Sequence, residues 1–383
     1  MPKTSKITKT RGKKQALEME NSGDLRTTKR ARKPTLRALE ALESIPRPAT
    51  PPLSAVELSS AGQESVLPSE EEDSKKTKSS GRARNPAYRG EQEYHGVQIY
   101  LLSRRIPRDL RELAEGVLRR ARGSPGPSQK ELALFEDNIE TWFDDDVNEA
   151  SLQFQMLTET PCFPRVNSYR TKNGKPAAIF SLDVLFRRTA VPCSSQDVIP
   201  LALPKPDILS GYTFHALADL GSRPVSDLTD VIPSGLTDYA VPAHAQNFWP
   251  YLITEFKTNR LGSVYVGETQ NATAGACCVT GVEQLLKTAY PEIQRRVTDS
   301  MAFSCVLNIT SAYLSVHWFR NDYVDGDGGP GPYSSAELEA YNLKKGKDVI
   351  AFRAALRNIM DWGLGDRLTT IREALLKVVA STK

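Results

Sequence analysis

The sequence predicts an α/β (α+β) domain, a small mixed sheet flanked by helices, carried behind a disordered N-terminal arm. Three observations predict it. Residues 1–88 are rich in Ser, Thr, Lys, Glu and Pro and show no sustained apolar period, so they cannot bury enough surface to offset the entropy of ordering. From about Tyr94 the apolar residues recur at helical spacing, and after about Leu157 they gather into short runs of strand length. The resulting core order is helix, strand, strand, strand, helix, strand, strand, which belongs to layered α/β or α+β architectures.

Val97–Leu101 is a short apolar stretch. Asp109 to Arg122 then reads as a helix with Leu110, Leu113, Ala114, Val117 and Leu118 on one face, broken by Gly123-Ser124-Pro125-Gly126-Pro127. Ser128-Gln129-Lys130-Glu131 has capping-box spacing and opens a helix through Leu134, Ile139 and Trp142. A third helix, about Val147 to Leu157, carries Glu149. Ala177 to Phe186, Asp207 to Tyr212 and Phe248 to Lys257 read as strands, and Gly221 to Gln246 as a loop between the last two. A helix from about Gln270 to Ala289 follows. Ala302 to Thr310 and Tyr313 to Phe319 read as a hairpin, and helices from Asp348 and beyond Gly365 close the chain. Asp325-Gly326-Asp327-Gly328-Gly329 lacks the spaced ligands of a calcium loop and reads as a hairpin or loop.

The net charge of +4 is uneven. Residues 1–50 carry +8 and residues 51–89 balance, which leaves −4 for residues 90–383. Nucleic-acid contact by the body therefore requires a local patch, with the arm adding attraction that does not depend on base sequence. Lys29-Arg30-Ala31-Arg32-Lys33 suits a nuclear import signal read by an import receptor, or nonspecific phosphate binding; a solvated charge run has the same composition. The expected location is nuclear, otherwise cytoplasmic. No apolar run reaches the roughly 18 residues of a membrane span, and no apolar stretch follows the basic N-terminus, so neither membrane nor Sec-type export is expected. The five cysteines include no C-x-x-C pair and the four histidines are scattered, which excludes a zinc or redox motif and predicts reduced, buried thiols.

The chemistry gathers at Glu255-Phe256-Lys257, which ends the apolar run beginning at Phe248. In a strand, Glu255 and Lys257 share one face while Phe256 enters the opposite layer. Such a pair at the end of a buried strand is expensive unless it pairs internally or binds something. Asp207, after Pro206, is the second element. Two carboxylates brought together repel unless a cation joins them, and hard oxygen ligands suit Mg²⁺ or Mn²⁺. A neighbouring lysine then orients a water against a phosphate. A plain cross-strand ion pair would use the same two residues, Glu255 and Lys257.

The element order, with an acid on the first helix, Pro206-Asp207 on the second strand and E-x-K on the third, resembles the common core of the PD-(D/E)XK superfamily. More closely, residues 90 to 380 resemble the PD-(D/E)XK nuclease-like domain of many uncharacterised fungal proteins. The matching stretches are Asn148-Glu149-Ala150, Pro204-Lys205-Pro206-Asp207, Asn247-Phe248-Trp249-Pro250 with Glu255-Phe256-Lys257, Gln270-Asn271-Ala272, Tyr313 to Phe319, and Asp361-Trp362-Gly363-Leu364. The resemblance implies a restriction-endonuclease-like core over residues 89–383, with Asp207 and Glu255 as metal ligands and Lys257 as catalytic lysine. Glu149 and Gln270 would be accessory polar groups. The Q-x-x-x-Y motif of some such nucleases is absent, since Ala274 stands four residues after Gln270. The expected activity is Mg²⁺- or Mn²⁺-dependent hydrolysis of nucleic acid, DNA ahead of RNA. The alternative is a catalytically inactive module of the same fold that binds nucleic acid or protein.

Overall fold

Nine consecutive buried residues, Phe248–Phe256, form an interior strand of the sheet. A run apolar on both sides is what a strand covered by helices on both faces requires. The computed structural model describes residues 79–123, 125–164, 168–193, 199–218, 232, 234–240, 246–258, 263–320, 322 and 331–381. The Lys29–Lys33 cluster and the Asp325–Gly329 segment lie outside them. All described residues fall in one compact unit, Pro68–Lys383.

The elements are α1 (Ser79–Ala83), α2 (Ala87–Tyr94), β1 (Val97–Tyr100), α3 (Arg108–Leu118), α4 (Gln129–Asp144), α5 (Glu149–Thr158), β2 (Ala178–Leu182), β3 (Ile208–Tyr212), α6 (Phe214–Ala218), α7 (Ser234–Ala240), β4 (Phe248–Phe256), α8 (Val264–Ala289), β5 (Ala302–Leu307), β6 (Ser311–Phe319), β7 (Tyr333–Asn342), α9 (Gly346–Trp362), a π-helical turn (Gly363–Arg367) and α10 (Leu368–Ser381). The seven strands form one mixed sheet in the order β1-β7-β6-β5-β4-β3-β2. β1 runs parallel to β7 and β4 parallel to β5, and the other neighbours are antiparallel. The chain is thus a mixed α/β fold with helices on both faces of the sheet.

The capping box at Ser128 forms as its spacing predicts, with both reciprocal hydrogen bonds present. Four expectations need correcting. Helical structure is already present at Ser79, because Tyr88 and Gln92 are buried; the Gln92 amide donates to the Thr269 carbonyl and the Thr273 hydroxyl of α8. The ordered body therefore starts before residue 89. The stretch read as a loop from Gly221 contains α7, whose Leu236 and Ala240 join the core. Helix α8 begins at Val264, capped by the Ser263 hydroxyl, rather than near Gln270. Strands β1 and β7 extend the sheet beyond the five expected.

Helix α8 is buried on nearly every side. Its small residues, Ala272, Ala274, Gly275 and Ala276 among them, let it lie close against β4, β5 and β6 while α7 and α10 pack on its other sides. The opposite face of the sheet is covered by α3, α4 and α9 through Leu252, Phe256, Phe303 and Leu314. Fully burying a side chain such as Phe256 contributes about 2–3 kcal/mol.

Strand β4 is irregular where it enters the sheet. Trp249 has φ +39° and Pro250 has no N–H to give, and the β3–β4 register shifts between Ser210 and Tyr212. Proline inside a strand is tolerated at such a bulge. Gly211 sits opposite, where a Cβ would lie 2.0 Å from Asn247 Oδ1 and 2.8 Å from the Phe248 carbonyl oxygen. Asn247 uses the gap to donate to the Ser181 hydroxyl (3.1 Å) and the Leu209 carbonyl (2.7 Å), tying β2 and β3 to the start of β4.

Candidate active site

The antiparallel register that pairs Leu182 with Ile208 and Ile208 with Thr254 puts Asp183, Asp207 and Glu255 at one level, one residue past those pairs. Asp207, one residue before β3, and Glu255 of β4 thus stand side by side although 35 residues, α6 and α7 among them, connect the two strands. Asp207 leaves the β-ladder before β3 begins, and its Oδ2 accepts the Phe256 N–H at 2.6 Å. Its backbone carbonyl accepts the Gln153 side-chain amide at 3.0 Å and the Asp183 N–H at 3.3 Å. Asp207 is therefore held at both its side chain and its backbone.

Glu255 and Lys257 project to the α8 side of the sheet, and Phe256 enters the other layer, 6.0 Å from the Phe163 ring. The period-2 reading of E-x-K holds because the Lys257 N–H continues the parallel ladder onto the Leu307 carbonyl at 2.8 Å. Glu255 is 2% exposed and Lys257 3%. Lys257 Nζ donates to Glu255 Oε2 at 2.9 Å and to the Phe256 carbonyl at 2.7 Å. Asp207 Oδ2 and Glu149 Oε2 each lie 4.0 Å from the same nitrogen. One ammonium is thus ringed by three carboxylates from α5, the start of β3 and the end of β4.

Glu149 is the first residue of α5, after Asn148, whose side chain accepts the Ser151 N–H at 2.9 Å. An acid in a first helical turn is favoured by the unpaired N–H groups there, which suits this placement. Gln153 stands one turn later on the same helix face and holds Asp207 as described. Neither Gln153 nor Asp183 was singled out by motif. The i, i+4 spacing from Glu149 marks the first; Asp183, with φ +54°, shows only as an acid interrupting an apolar strand. Asp183 also pairs with Lys205 at 3.1 Å.

Gln270 reaches a different wall. It lines a cavity of about 10 Å³ with Glu255, Thr273, Tyr88 and Lys205, room for one water at most. Its Oε1 is buried without a hydrogen-bond partner, and no bond joins it to Lys257.

The electrostatics follow from burial and crowding. Burial, aided by the Asp207 charge, pushes the Glu255 carboxyl up to about 8 against the pull of Lys257. Asp207 is raised too, by burial above all, with Lys257 and the Phe256 N–H opposing. For Lys257, burial favours the neutral amine, but Glu255, Asp207 and Glu149 together outweigh it, and its pKa is raised. The site holds more negative charge than its one ammonium neutralises. Among the described residues no three His, Cys, Asp or Glu side chains converge as a ready metal-ligand set, so a bound cation would take two carboxylates with water or substrate oxygens completing its shell.

The profile of a domain of unknown function, DUF7924, matches residues 148–375. The chain belongs to that family. No match is found among curated proteins. The DUF7924 match opens at Asn148, the cap of the helix that carries Glu149, and takes in Asp207, Glu255, Lys257 and Gln270. Helices α1 to α4 and strand β1 precede it. Among the described residues no helix is long and apolar enough to cross a membrane.

Proposed function

We propose that this DUF7924 domain is a PD-(D/E)XK-type nuclease that hydrolyses phosphodiester bonds of nucleic acid, DNA in the first place and RNA in the second, with Mg²⁺ or Mn²⁺. The observation that carries the reading is the single ammonium of Lys257 within 4.0 Å of Glu255, Asp207 and Glu149, contributed by three separate elements. The donor set fits a hard dication: burial disfavours the ionised form of both carboxyl groups, and such an ion would stabilise them as carboxylates. Asp207 and Glu255 would hold the ion. When bound, it supplies Lewis acidity toward a phosphate oxygen and lowers the pKa of a coordinated water.

The chain's own residues do the rest. Lys257 stays protonated, so its Nζ–H groups orient the attacking water and balance charge growing on the phosphate. Gln153 and the Phe256 N–H fix Asp207, so the carboxylate needs no reorganisation on binding. Glu149, half-exposed at the rim, accepts a proton or a hydrogen bond from water entering the site.

The deep burial of Glu255 and Lys257 and the −4 charge of residues 90–383 favour a second reading, a module of this fold that binds nucleic acid or protein without turnover. One experiment separates them. Purified protein is incubated with single- and double-stranded DNA and with RNA, in Mg²⁺, Mn²⁺ or chelator, beside Lys257→Ala and Asp207→Ala. The nuclease reading expects metal-dependent cleavage lost in both variants, with a metal-induced rise in melting temperature lost only in Asp207→Ala. No cleavage on any substrate, with no metal-induced rise, would leave the binding module. For Lys29–Lys33, the proposed import role is checked by fusing residues 1–40 to a fluorescent reporter and replacing the four basic residues with Ala, which should disperse a nuclear signal.

A further inference from the structure

A second polar cavity of about 110 Å³ lies on the α8 side of the sheet, and none of Asp207, Glu255 or Lys257 lines it. Its polar wall comprises Glu268 and Asn271 of α8, Ser304 of β5, Ser315 and His317 of β6, and Ser335 and Glu337 of β7. Leu101, three-quarters exposed, lines one end, so that end opens to solvent.

The buried side-chain atom without a hydrogen-bond partner on this wall, among the described residues, is an acceptor. Asn271 is 1% exposed; its amide nitrogen is committed to the Cys305 carbonyl at 3.1 Å, which fixes the orientation of the amide and leaves Oδ1 buried without a partner. A buried polar atom left so costs free energy, and its retention points to a ligand or water that completes it. Glu337 makes no ion pair among the described residues, and burial, then the Glu268 charge, raises its pKa. Glu268 is held by Arg89, whose Nη2 lies 3.0 Å from its Oε2 while its Nε donates to the Thr269 hydroxyl. His317 Nε2 and the Ser304 hydroxyl are engaged with each other at 2.8 Å. A partner for this wall must donate hydrogen bonds and carry positive charge.

Size and ligand count select the kind of cation. The cavity has the volume of three to four liquid waters at about 30 Å³ each, too large for a bare ion. Glu268 is already paired with a guanidinium, so Glu337 is the one carboxylate left for a metal, and hard dications take more oxygen charge than that. Ile99, Tyr100, Val306 and Ala336 supply apolar wall suited to an alkyl stem.

We infer that this cavity is a binding site for a compact organic cation, an alkylammonium group, held by Glu337 and Asn271 Oδ1 with its stem toward Tyr100 and Ile99. The site is independent of the nuclease reading. The full chain is titrated with ethylammonium chloride by ligand-observed NMR, beside tetramethylammonium, which has the charge but no N–H, and MgCl₂. Saturable ethylammonium binding, none for tetramethylammonium, and at least tenfold weaker binding by Glu337→Gln are expected. Glu337 is half-exposed, so Glu337→Gln should melt no lower than the parent protein. Absence of saturation, equal binding of tetramethylammonium, an unaltered Glu337→Gln isotherm, or displacement of ethylammonium by millimolar Mg²⁺ would each overturn the inference. Should the variant fail to fold, the comparison of the two ammonium ions on the parent protein decides alone.

Discussion

The Phe256 N–H donates to Asp207 Oδ2 over 2.6 Å, so the residue in the middle of E-x-K fixes the carboxylate of the neighbouring strand. This bond separates two properties of Asp207 that a single substitution can pull apart. Asn retains an acceptor oxygen for the Phe256 N–H but carries no charge. Burial, with Glu149 and Asp183, raises the Asp207 pKa despite the pull of Lys257 and the Phe256 N–H, so removing the charge relieves more desolvation and repulsion than the attraction it gives up. Asp207→Asn should therefore melt at or above the parent temperature while losing any stabilisation by Mg²⁺ or Mn²⁺. Thermal melts with and without metal check both halves.

Glu255 sets a pH dependence opposite in sign to that of an ordinary ion-paired acid. Its folded pKa, about 8, lies above the usual value of 4.5, so the folded state binds a proton that the unfolded state has lost. Its contribution is fully present below pH 4.5 and is lost as pH rises toward 8, with a slope of at most about 1.4 kcal/mol per pH unit. In chelator, Glu255→Gln should flatten the fall of stability between pH 4.5 and 8. Denaturant melts of both proteins across that window measure the difference in slope, and an equal slope would show that Lys257 keeps Glu255 ionised.

His317 acts on the acid side. Burial holds its imidazole neutral and lowers its pKa from 6.5 to about 3. Between those values the unfolded state takes up a proton that the folded state refuses, so stability falls as pH drops from 6.5 toward 3. Between pH 4.5 and 6.5 this opposes the Glu255 slope. His317→Gln should lose the acid-side dependence below pH 4.5, where the Glu255 contribution is constant, even if its stability at pH 7 is lower. Melts at pH 3.5, 4 and 4.5 read this directly.

The elements of the candidate site were legible in the sequence because they obey local rules. Strand β4 announces itself by nine apolar-rich residues, and the period of two puts Glu255 and Lys257 on one face. Asn148, Glu149 and Ser128 sit where helix starts favour them. What stayed hidden depends on distant contacts. Tyr333–Asn342 contains Ala, Glu, Leu, Glu, Ala, good helix formers, yet it is a strand because β6 and β1 pair with both its edges. Helix α2 has few apolar residues; the α8 surface makes Gln92 a core position, and Tyr88 is buried with its hydroxyl accepting the Ala202 N–H. Asn247, Trp249, Trp362 and Gly363, quoted above as family-like, prove to be supports of the sheet rather than members of the charged cluster. A short motif can mark packing as readily as chemistry: Gln270 lies in one yet makes no bond to Lys257, whereas Gln153 lies outside any motif and holds Asp207.

Trp249 and Trp362 meet at Arg367, which is 4% exposed and has no acidic partner among the described residues. It closes the π-helical turn, donating to the Tyr212 hydroxyl at 3.0 Å and to the Trp249 and Pro250 carbonyls at 2.9 and 3.2 Å. Its guanidinium lies 5.6 to 5.9 Å from the ring centres of Tyr212, Tyr251 and Trp362. Gly363 lets the turn approach, since a Cβ there would meet the Tyr251 ring at 2.5 Å. The two carbonyls belong to the β4 bulge, where the regular ladder is broken, so Arg367 replaces the missing strand partner. A lysine keeps the charge but cannot span three acceptors with a planar fork. Methionine fills the space and strands the carbonyls, at about 1–3 kcal/mol for each buried group left unsatisfied. Arg367→Met should therefore cost roughly 3 kcal/mol or more, and Arg367→Lys a substantial part of that. Both are expected to loosen β4 at its entry, leaving the Glu255 end less affected. Equilibrium denaturation gives the loss, and amide exchange along Phe248–Phe256 gives its location. A uniform loss of protection along the strand would mean that Arg367 stabilises the whole sheet rather than the bulge.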